Sequence, residues 1–327
     1  MITSSSIKIC KRKVSLKSET ISIGSITVGW TGRSSGKVGI HIISKKKKII
    51  ITAALVLISS IVAITSKVML PSDVNVGDFN SIFVRSLGFE AVASLYFILI
   101  YAHNAIVTAT FGRRSELTNR QIGLRFGICF ALVYLFGMQE VVVESSPFTT
   151  WGIDFVIYQF FGGAGEAIAA LCLCMAISIF VIERKEPTQI KAPMPFRNKA
   201  LAILLITSMF TTIRAIGYET GIIHSNVDRF PVPVYIWTVL FGIVLGACFI
   251  MIYPAFGKQK SPAILSVKTM ILTVGLSWII FNLFIGLIFA GALVELLLRG
   301  GLDVLAAFLA ALVWSKTSIK ITSKITS

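Results

Sequence analysis

Apolar residues occur along this chain in eight long runs that are separated by short polar segments. The runs cover residues 49–66, 88–111, 122–143, 153–182, 200–221, 234–254, 269–291 and 302–315. A membrane-spanning helix needs about 20 mostly apolar residues. The pattern therefore predicts an all-α integral membrane protein with a bundle of about eight transmembrane helices. The run 302–315 is short and begins beside Asp303, so a re-entrant or half-length helix is the alternative there.

The positive charges alternate from one connecting segment to the next. If every run crosses the membrane, 25 Lys and Arg residues lie on one side and 4 on the other, with Arg125 and Arg214 inside runs. Lys and Arg concentrate in cytoplasmic loops of membrane proteins. Both termini are therefore predicted to be cytoplasmic, and the plasma membrane is the expected location.

The two ends of the chain differ from its apolar middle. Residues 1–48 are rich in Ser, Lys, Ile and Gly, lack helical periodicity and end in four consecutive lysines. We interpret them as a disordered, polybasic cytoplasmic tail, and residues 316–327 as a second basic tail. A signal peptide and an upstream-extended translation start, with Met69 as the true first residue, are the alternatives for the N-terminal region.

Composition narrows the class of protein further. The chain is 55% hydrophobic and 14% charged, and its mean hydropathy is +0.84. The net charge of +16 would suit nucleic acid, but the basic residues flank apolar runs, so the expected partner is an anionic cytoplasmic leaflet. No nucleic-acid partner is predicted. The five cysteines and three histidines form no metal-binding or disulfide pattern, so no cofactor and no metal is predicted.

Ionisable residues inside the apolar runs are the best candidates for a functional site. A charged side chain at the bilayer centre costs about 2.5–3.5 kcal/mol on insertion scales, so such residues are usually paired or functional. Helical spacing places Gln159 and Glu166 on one face of the fourth run, and Arg214 and Tyr218 on one face of the fifth. We predict that Arg214 pairs with Glu166 or with Glu140, in a polar cleft that opens to the outside. A buried ion pair that only fixes helix register is an equally weighted alternative.

The predicted substrate-binding residues belong to this cleft and lie in the outer half of the bundle, with Glu166 placed near the midplane. They are Glu140, Gln159, Glu166, Arg214 and Tyr218.

Three further groups of polar residues have simpler interpretations. His103 is a candidate proton relay, although a hydrogen bond between helices is favoured for it. Asn282 is expected to join neighbouring helices. Glu295, Arg299 and Asp303 have i, i+4 spacing around the last outer turn. Local pairing among them is favoured, and lining the mouth of the cleft is the alternative.

Two GxxxG patterns, at residues 123–127 and 242–246, predict close helix packing. Packing within the bundle is favoured, and a homo-oligomer through these faces is the alternative.

The loops are too short for a soluble catalytic domain, so any function lies in the membrane or at its faces. A transporter or permease for a small solute is the leading hypothesis. A membrane-embedded transferase or protease that uses Glu140, Glu166 or His103 is the first alternative, and a non-catalytic scaffold or sensor subunit is the second.

Overall fold

The computed structural model describes residues 21–23, 26–28, 45–70, 79–143, 152–183, 194–256, 259 and 261–326. The chain divides into two units, residues 1–49 and 50–327. In the first unit, the strands β1 (Ile21–Ile23) and β2 (Ile26–Val28) pair antiparallel. The rest of the predicted disordered tail, up to residue 44, lies outside the described residues.

Helices make up the second unit, and eight helical segments among the described residues are long and apolar enough to cross a membrane. The prediction of a multi-pass helical membrane protein with about eight spans is confirmed at that level. Its helices are α1 (Lys45–Val68), the short α2 (Ile82–Leu87), α3 (Phe89–Arg114), α4 (Asn119–Gly137), α5 (Gly152–Phe180), α6 (Phe196–Glu219), α7 (Pro231–Ile252), the short α8 (Pro262–Ser266), α9 (Leu276–Ile288) and α10 (Ala292–Thr326). Three segments of other helical type extend or join them: 3-10 turns at Met138–Val142 and Tyr253–Phe256, and a π-helix at Val267–Gly275.

The last crossing is longer than the apolar pattern predicts. Helix α10 begins at Ala292 rather than at residue 302, and its membrane-spanning part extends to Thr317. The alternative of a half-length or re-entrant helix is therefore wrong. This extension brings Arg299 and Asp303 into the span, because Gly300 and Gly301 continue the helix instead of ending it.

Local sequence signals account for several helix boundaries. Thr118 and Gln121 form a capping box at the start of α4, in which each side chain bonds to the backbone N–H of the other residue. Pro231 occupies the first turn of α7, where a missing N–H costs no hydrogen bond. The turns after α6 and α9 contain Gly221 and Gly291 at φ +70° and +83°, which only glycine adopts readily.

The two GxxxG patterns both form helix contacts within the bundle, as favoured from the sequence. A Cβ atom added to Gly127 would lie 3.1 Å from the Cα of Leu171 in α5, and one added to Gly246 would lie 2.8 Å from the Cα of Ile203 in α6. Such separations leave no room for a side chain. The faces are thus occupied by α5 and α6, and a second copy could use them only by displacing those helices.

Hydrogen bonds between residues near the helix ends mark the two ends of the bundle. At one end, Asn119 at the start of α4 donates to Ser178 near the end of α5, and Trp314 of α10 donates to Asn198 at the start of α6. We call this the basic end, because the segments rich in Lys and Arg connect the helices there. At the other end, the far end, Ser81 donates to the carbonyl oxygen of Leu287 at the end of α9.

Candidate functional site

A cluster of charged side chains lies between the helices near the far end, and Arg214 of α6 is at its centre. The guanidinium donates from Nε to Oδ1 of Asp303 at 2.6 Å and from Nη2 to Oδ2 of the same carboxylate at 2.5 Å. Nη2 also donates to Oε1 of Glu140 at 2.7 Å. A two-point contact of this kind fixes the plane of both groups and is among the strongest ionic hydrogen bonds in proteins.

A second arginine completes the cluster. Nε of Arg299 lies 3.4 Å from Oε1 of Glu140, and Nη2 of Arg299 donates to Oδ1 of Asn282 at 3.4 Å. The indole N–H of Trp278 donates to Oδ2 of Asp303 at 2.9 Å. We call Glu140, Arg214, Arg299 and Asp303 the charge cluster; its four members come from the 3-10 turn after α4, from α6 and from α10.

Aromatic and hydroxyl side chains surround the central guanidinium. The Cζ atom of Arg214 lies 5.5 Å from the ring centroid of Phe210 and 5.3 Å from that of Trp237. Its Nη1 donates to the hydroxyl of Tyr218 at 3.4 Å, and that hydroxyl is 3.0 Å from the hydroxyl of Thr238. The faces of aromatic rings attract cations, so Trp237 of α7 attracts the guanidinium of Arg214 as well as shielding it with apolar surface.

Burial and charge balance determine what this cluster can do. Arg214 is 0% exposed, Asp303 1%, Arg299 2% and Glu140 5%. Among the described residues, the two positive and two negative groups of the cluster balance, which is the condition under which ionised groups persist away from water. Removing one member would leave an uncompensated charge in the protein interior. Through these contacts the cluster joins α6 and α10 to the end of α4.

The structure brings together three of the five predicted binding residues. Glu140, Arg214 and Tyr218 lie in or beside the charge cluster, and the pair between Arg214 and Glu140 was one of the two predicted. Glu166, the alternative partner for Arg214, instead forms an ion pair with Lys67 of α1. Gln159 is half-buried on α5, two turns before Glu166.

An ion pair between α1 and α5 is a second polar contact. Nζ of Lys67 lies 2.5 Å from Oε1 of Glu166, and the carboxylate is almost fully buried. The ammonium also lies 5.5 Å from the ring of Phe97 and 5.7 Å from that of Phe284. Lys67 is in the last turn of α1. Glu166 is the middle residue of α5, and its backbone carbonyl accepts a hydrogen bond from Tyr101 in the middle of α3. Its place near the midplane stays a prediction.

His103 belongs to a third group, deeper in the bundle. Its Nε2 is 3.1 Å from the carbonyl oxygen of Leu272, which can only accept, so Nε2 carries the proton. Leu272 lies in the π-helix, and π-helical turns frequently occur at functional sites. The bond joins two helices, which agrees with the simpler role favoured from the sequence, and the proton-relay role stays a prediction.

A tyrosine links three helices beside this histidine. The hydroxyl of Tyr134 donates to Oδ1 of Asn104 at 2.8 Å and is 2.8 Å from the hydroxyl of Ser277. Asn104 and Ser277 are 0% exposed. Among the described residues, the Nδ1 atom of His103 and the Nδ2 atom of Asn104 are buried without a hydrogen-bond partner.

Sequence reasoning missed the partners that α10 supplies. The local pairing expected for Glu295, Arg299 and Asp303 is wrong, because Asp303 binds Arg214 and Arg299 reaches Glu140. Glu295 instead lies 3.1 Å from Nδ1 of His224. The signal in the sequence was the spacing of Arg299 and Asp303, which places both on one helix face once the helix starts before them.

The arrangement of carboxylates bears on the enzyme alternative. Acid–base catalysis by two carboxylates requires that they share a site. Here Glu140 is bound by arginines and Glu166 by a lysine of another helix, so these two residues form no such pair. Within the described part of the chain, no group of three or more His, Cys, Asp or Glu side chains could hold a metal ion.

Comparisons with known proteins add no relative. No protein-family model matches the chain, and no curated protein sequence or solved structure is significantly similar to it. The class supported by the fold is a multi-pass helical membrane protein.

Proposed function

We propose that the protein is a transporter or permease for a small solute, with both termini in the cytoplasm and the plasma membrane as its location. In this proposal the charge cluster is the closed outer gate of the solute pathway. The single observation that supports it is the convergence of four buried, mutually balanced charges from three separate crossings in one half of the bundle. Intramembrane ionisable residues commonly mark substrate and ion pathways.

The charge cluster is better suited to a gate that can open than to a permanent contact between helices. In water-soluble proteins, apolar residues of similar volume often stabilise a fold as well as a buried ion pair does. A gate needs contacts with two alternative arrangements, one between helices and one to the solute or to water. Arg214, Glu140 and Tyr218 would be the groups that bind the solute when the cluster separates, and Asp303 would compete with the solute for Arg214.

The depth of the cluster is consistent with this role. Arg214 lies five residues before the end of α6 at Glu219, about 7.5 Å along the helix axis. Asp303 lies eleven residues after the start of α10 at Ala292, about 16 Å along that axis. The cluster therefore occupies the half of the bundle near the far end, which is the outer half in the orientation proposed from the basic loops.

The test measures access of water to the cluster and works even though the solute is unidentified. The five native cysteines are replaced, a single cysteine is placed at Thr238, and intact cells are treated with a membrane-impermeant thiol reagent. The Thr238 hydroxyl contacts Tyr218 and is 0% exposed, so labelling reports opening of the gate. We expect slow labelling in the parent protein and labelling at least about tenfold faster after Asp303→Asn, since one ionic contact is worth about 1.5–3 kcal/mol.

A matched control separates gate opening from a general effect of charge removal. Glu219→Gln removes a carboxylate from the same end of the bundle, but Glu219 is exposed and lies outside the cluster. It should leave the labelling rate unchanged. In proteoliposomes, a panel of small solutes should then identify one that accumulates with the parent and the Glu219→Gln variant. Absence of labelling in both the parent and a folded Asp303→Asn variant would contradict the gate.

A further inference from the structure

A pocket at the basic end lies apart from the charge cluster and is not used by the proposed gate. Its volume is about 150 Å³. It is lined by the end of α3 with the following turn, by the 3-10 turn after α7 with Gln259 beyond it, and by the start of the π-helix. The lining includes Phe111, Arg114, Glu116, Phe256, Gln259 and Lys268.

The floor and wall of the pocket are partly apolar. The rings of Phe111 and Phe256 meet edge to face with centroids 4.9 Å apart, and Phe256 is buried. This contact joins α3 to the turn after α7. A wall that is packed before a ligand binds reduces the ordering cost of binding.

Two cationic side chains face the same space. The ammonium of Lys268 donates to Oε1 of Gln259 at 3.1 Å, which uses one of its three N–H donors and holds it half-buried at the wall. Arg114 is exposed, and among the described residues it has no ion-pair partner. Glu116 is the only carboxylate among the lining residues and has contacts of its own. The lining thus carries a net charge of +1.

We propose that this pocket binds a phosphate-bearing anion. A guanidinium donates two parallel N–H groups to phosphate oxygens, and an ammonium adds a compact charge with free donors. The volume is about five times the share of one water molecule in the liquid, enough for a phosphoryl group with part of its ester. The two cations disfavour a cationic ligand, and an apolar ligand would leave them desolvated without compensation.

Two sources could supply this chemistry: the headgroup of an anionic phospholipid, or a soluble phosphate compound. The surrounding chain favours anions of either kind, since residues 255–268 contain three lysines and residues 112–121 contain three arginines. Such a concentration of positive charge raises the local concentration of anions. The pocket lies at the opposite end of the bundle from the proposed gate, so it can bind an anion whether or not the protein transports a solute.

The experiment uses the full-length protein in lipid nanodiscs with two probes. One probe is phosphatidylglycerol mixed with phosphatidylcholine, with retained lipid counted by native mass spectrometry. The other is inorganic phosphate titrated onto protein in pure phosphatidylcholine nanodiscs by calorimetry. The test variant is Arg114→Gln with Lys268→Gln, and the control is Arg120→Gln, which removes an exposed charge from the same segment outside the pocket.

We expect one probe to bind saturably, and we expect the double variant to weaken that binding by about tenfold or more, as for loss of charged hydrogen bonds. Arg120→Gln should bind like the parent. Binding of phosphatidylglycerol alone identifies a lipid site, and binding of inorganic phosphate identifies a site for soluble phosphates. The proposal is overturned if neither probe binds saturably, or if Arg120→Gln weakens binding as much as the double variant does. Lys268→Arg, which keeps the charge, should retain binding if the double variant does not fold.

Discussion

Charge balance in the buried cluster can be tested by removing one acid, one base, and then both. Asp303→Asn keeps the shape of the side chain and one oxygen for the indole N–H of Trp278, but it changes the cluster charge from 0 to +1. Arg299→Gln changes it to −1. Breaking a buried ion pair by removing one partner costs about 3–5 kcal/mol, so each single variant should lose about that much stability.

The double variant should be less unstable than the two single variants combined. With Asp303→Asn and Arg299→Gln together, the cluster is neutral again and the 2.7 Å contact between Arg214 and Glu140 is complete. We expect a coupling free energy of about 2 kcal/mol or more, within the range for residues of one ionic network. Equilibrium unfolding by sodium dodecyl sulfate in mixed micelles measures all four free energies.

Glu219 provides a control for the loss of a carboxylate outside the cluster. Glu219→Gln alters an exposed carboxylate near the same end, so its free energy of unfolding should stay within about 0.5 kcal/mol of the parent. If the effects of Asp303→Asn and Arg299→Gln simply add, the four charges do not act as one balanced unit. The proposed gate, which depends on that balance, would then fail as well.

Three further predictions concern contacts elsewhere in the bundle. Gly246→Leu should destabilise the protein by about 3 kcal/mol or more, or prevent its folding, because an added Cβ would lie 2.8 Å from the Cα of Ile203. Thermal unfolding in detergent measures this loss, and unchanged stability would contradict the close packing. Tyr134→Phe should cost about 1–3 kcal/mol in the same assay, since it leaves buried hydrogen-bonding groups without a partner; a neutral effect would mean that water replaces the hydroxyl. Glu166→Gln should increase the reactivity of Lys67 towards an amine reagent several-fold, measured by mass spectrometry. If Lys67 reacts equally fast in the variant and in the parent, the ion pair does not hold the end of α1.

The apolar runs predicted most of the fold because lipid imposes one requirement on every span. Each crossing needs a long apolar helix, and all eight predicted runs lie within or close to the observed helical segments, although the last run begins ten residues after the start of its helix. The error at α10 has a specific cause. Arg299, Gly300, Gly301 and Asp303 resemble a polar turn when they are read in isolation, whereas charge partners from α4 and α6 allow them to lie inside a helix.

The candidate site was predicted only in part for the same reason. Helical spacing identified the face of Arg214, and chain depth placed Glu140 within reach of it. Spacing carries no information on which helices are neighbours, so it could not assign Asp303 to Arg214 or Lys67 to Glu166. Those choices depend on the packing order of the helices in three dimensions.

The span of 89 residues between Arg214 and Asp303 has a consequence for biosynthesis. At a translation rate of about 5–20 residues per second, Asp303 is made roughly 4–18 s after Arg214. During that interval Glu140 is the one acid of the final cluster that already exists to accompany the arginine. Helix α10 in turn arrives with its own acid and base, one helical turn apart. The last helix to be synthesised therefore completes the ionic contacts of a helix that entered the membrane several seconds earlier.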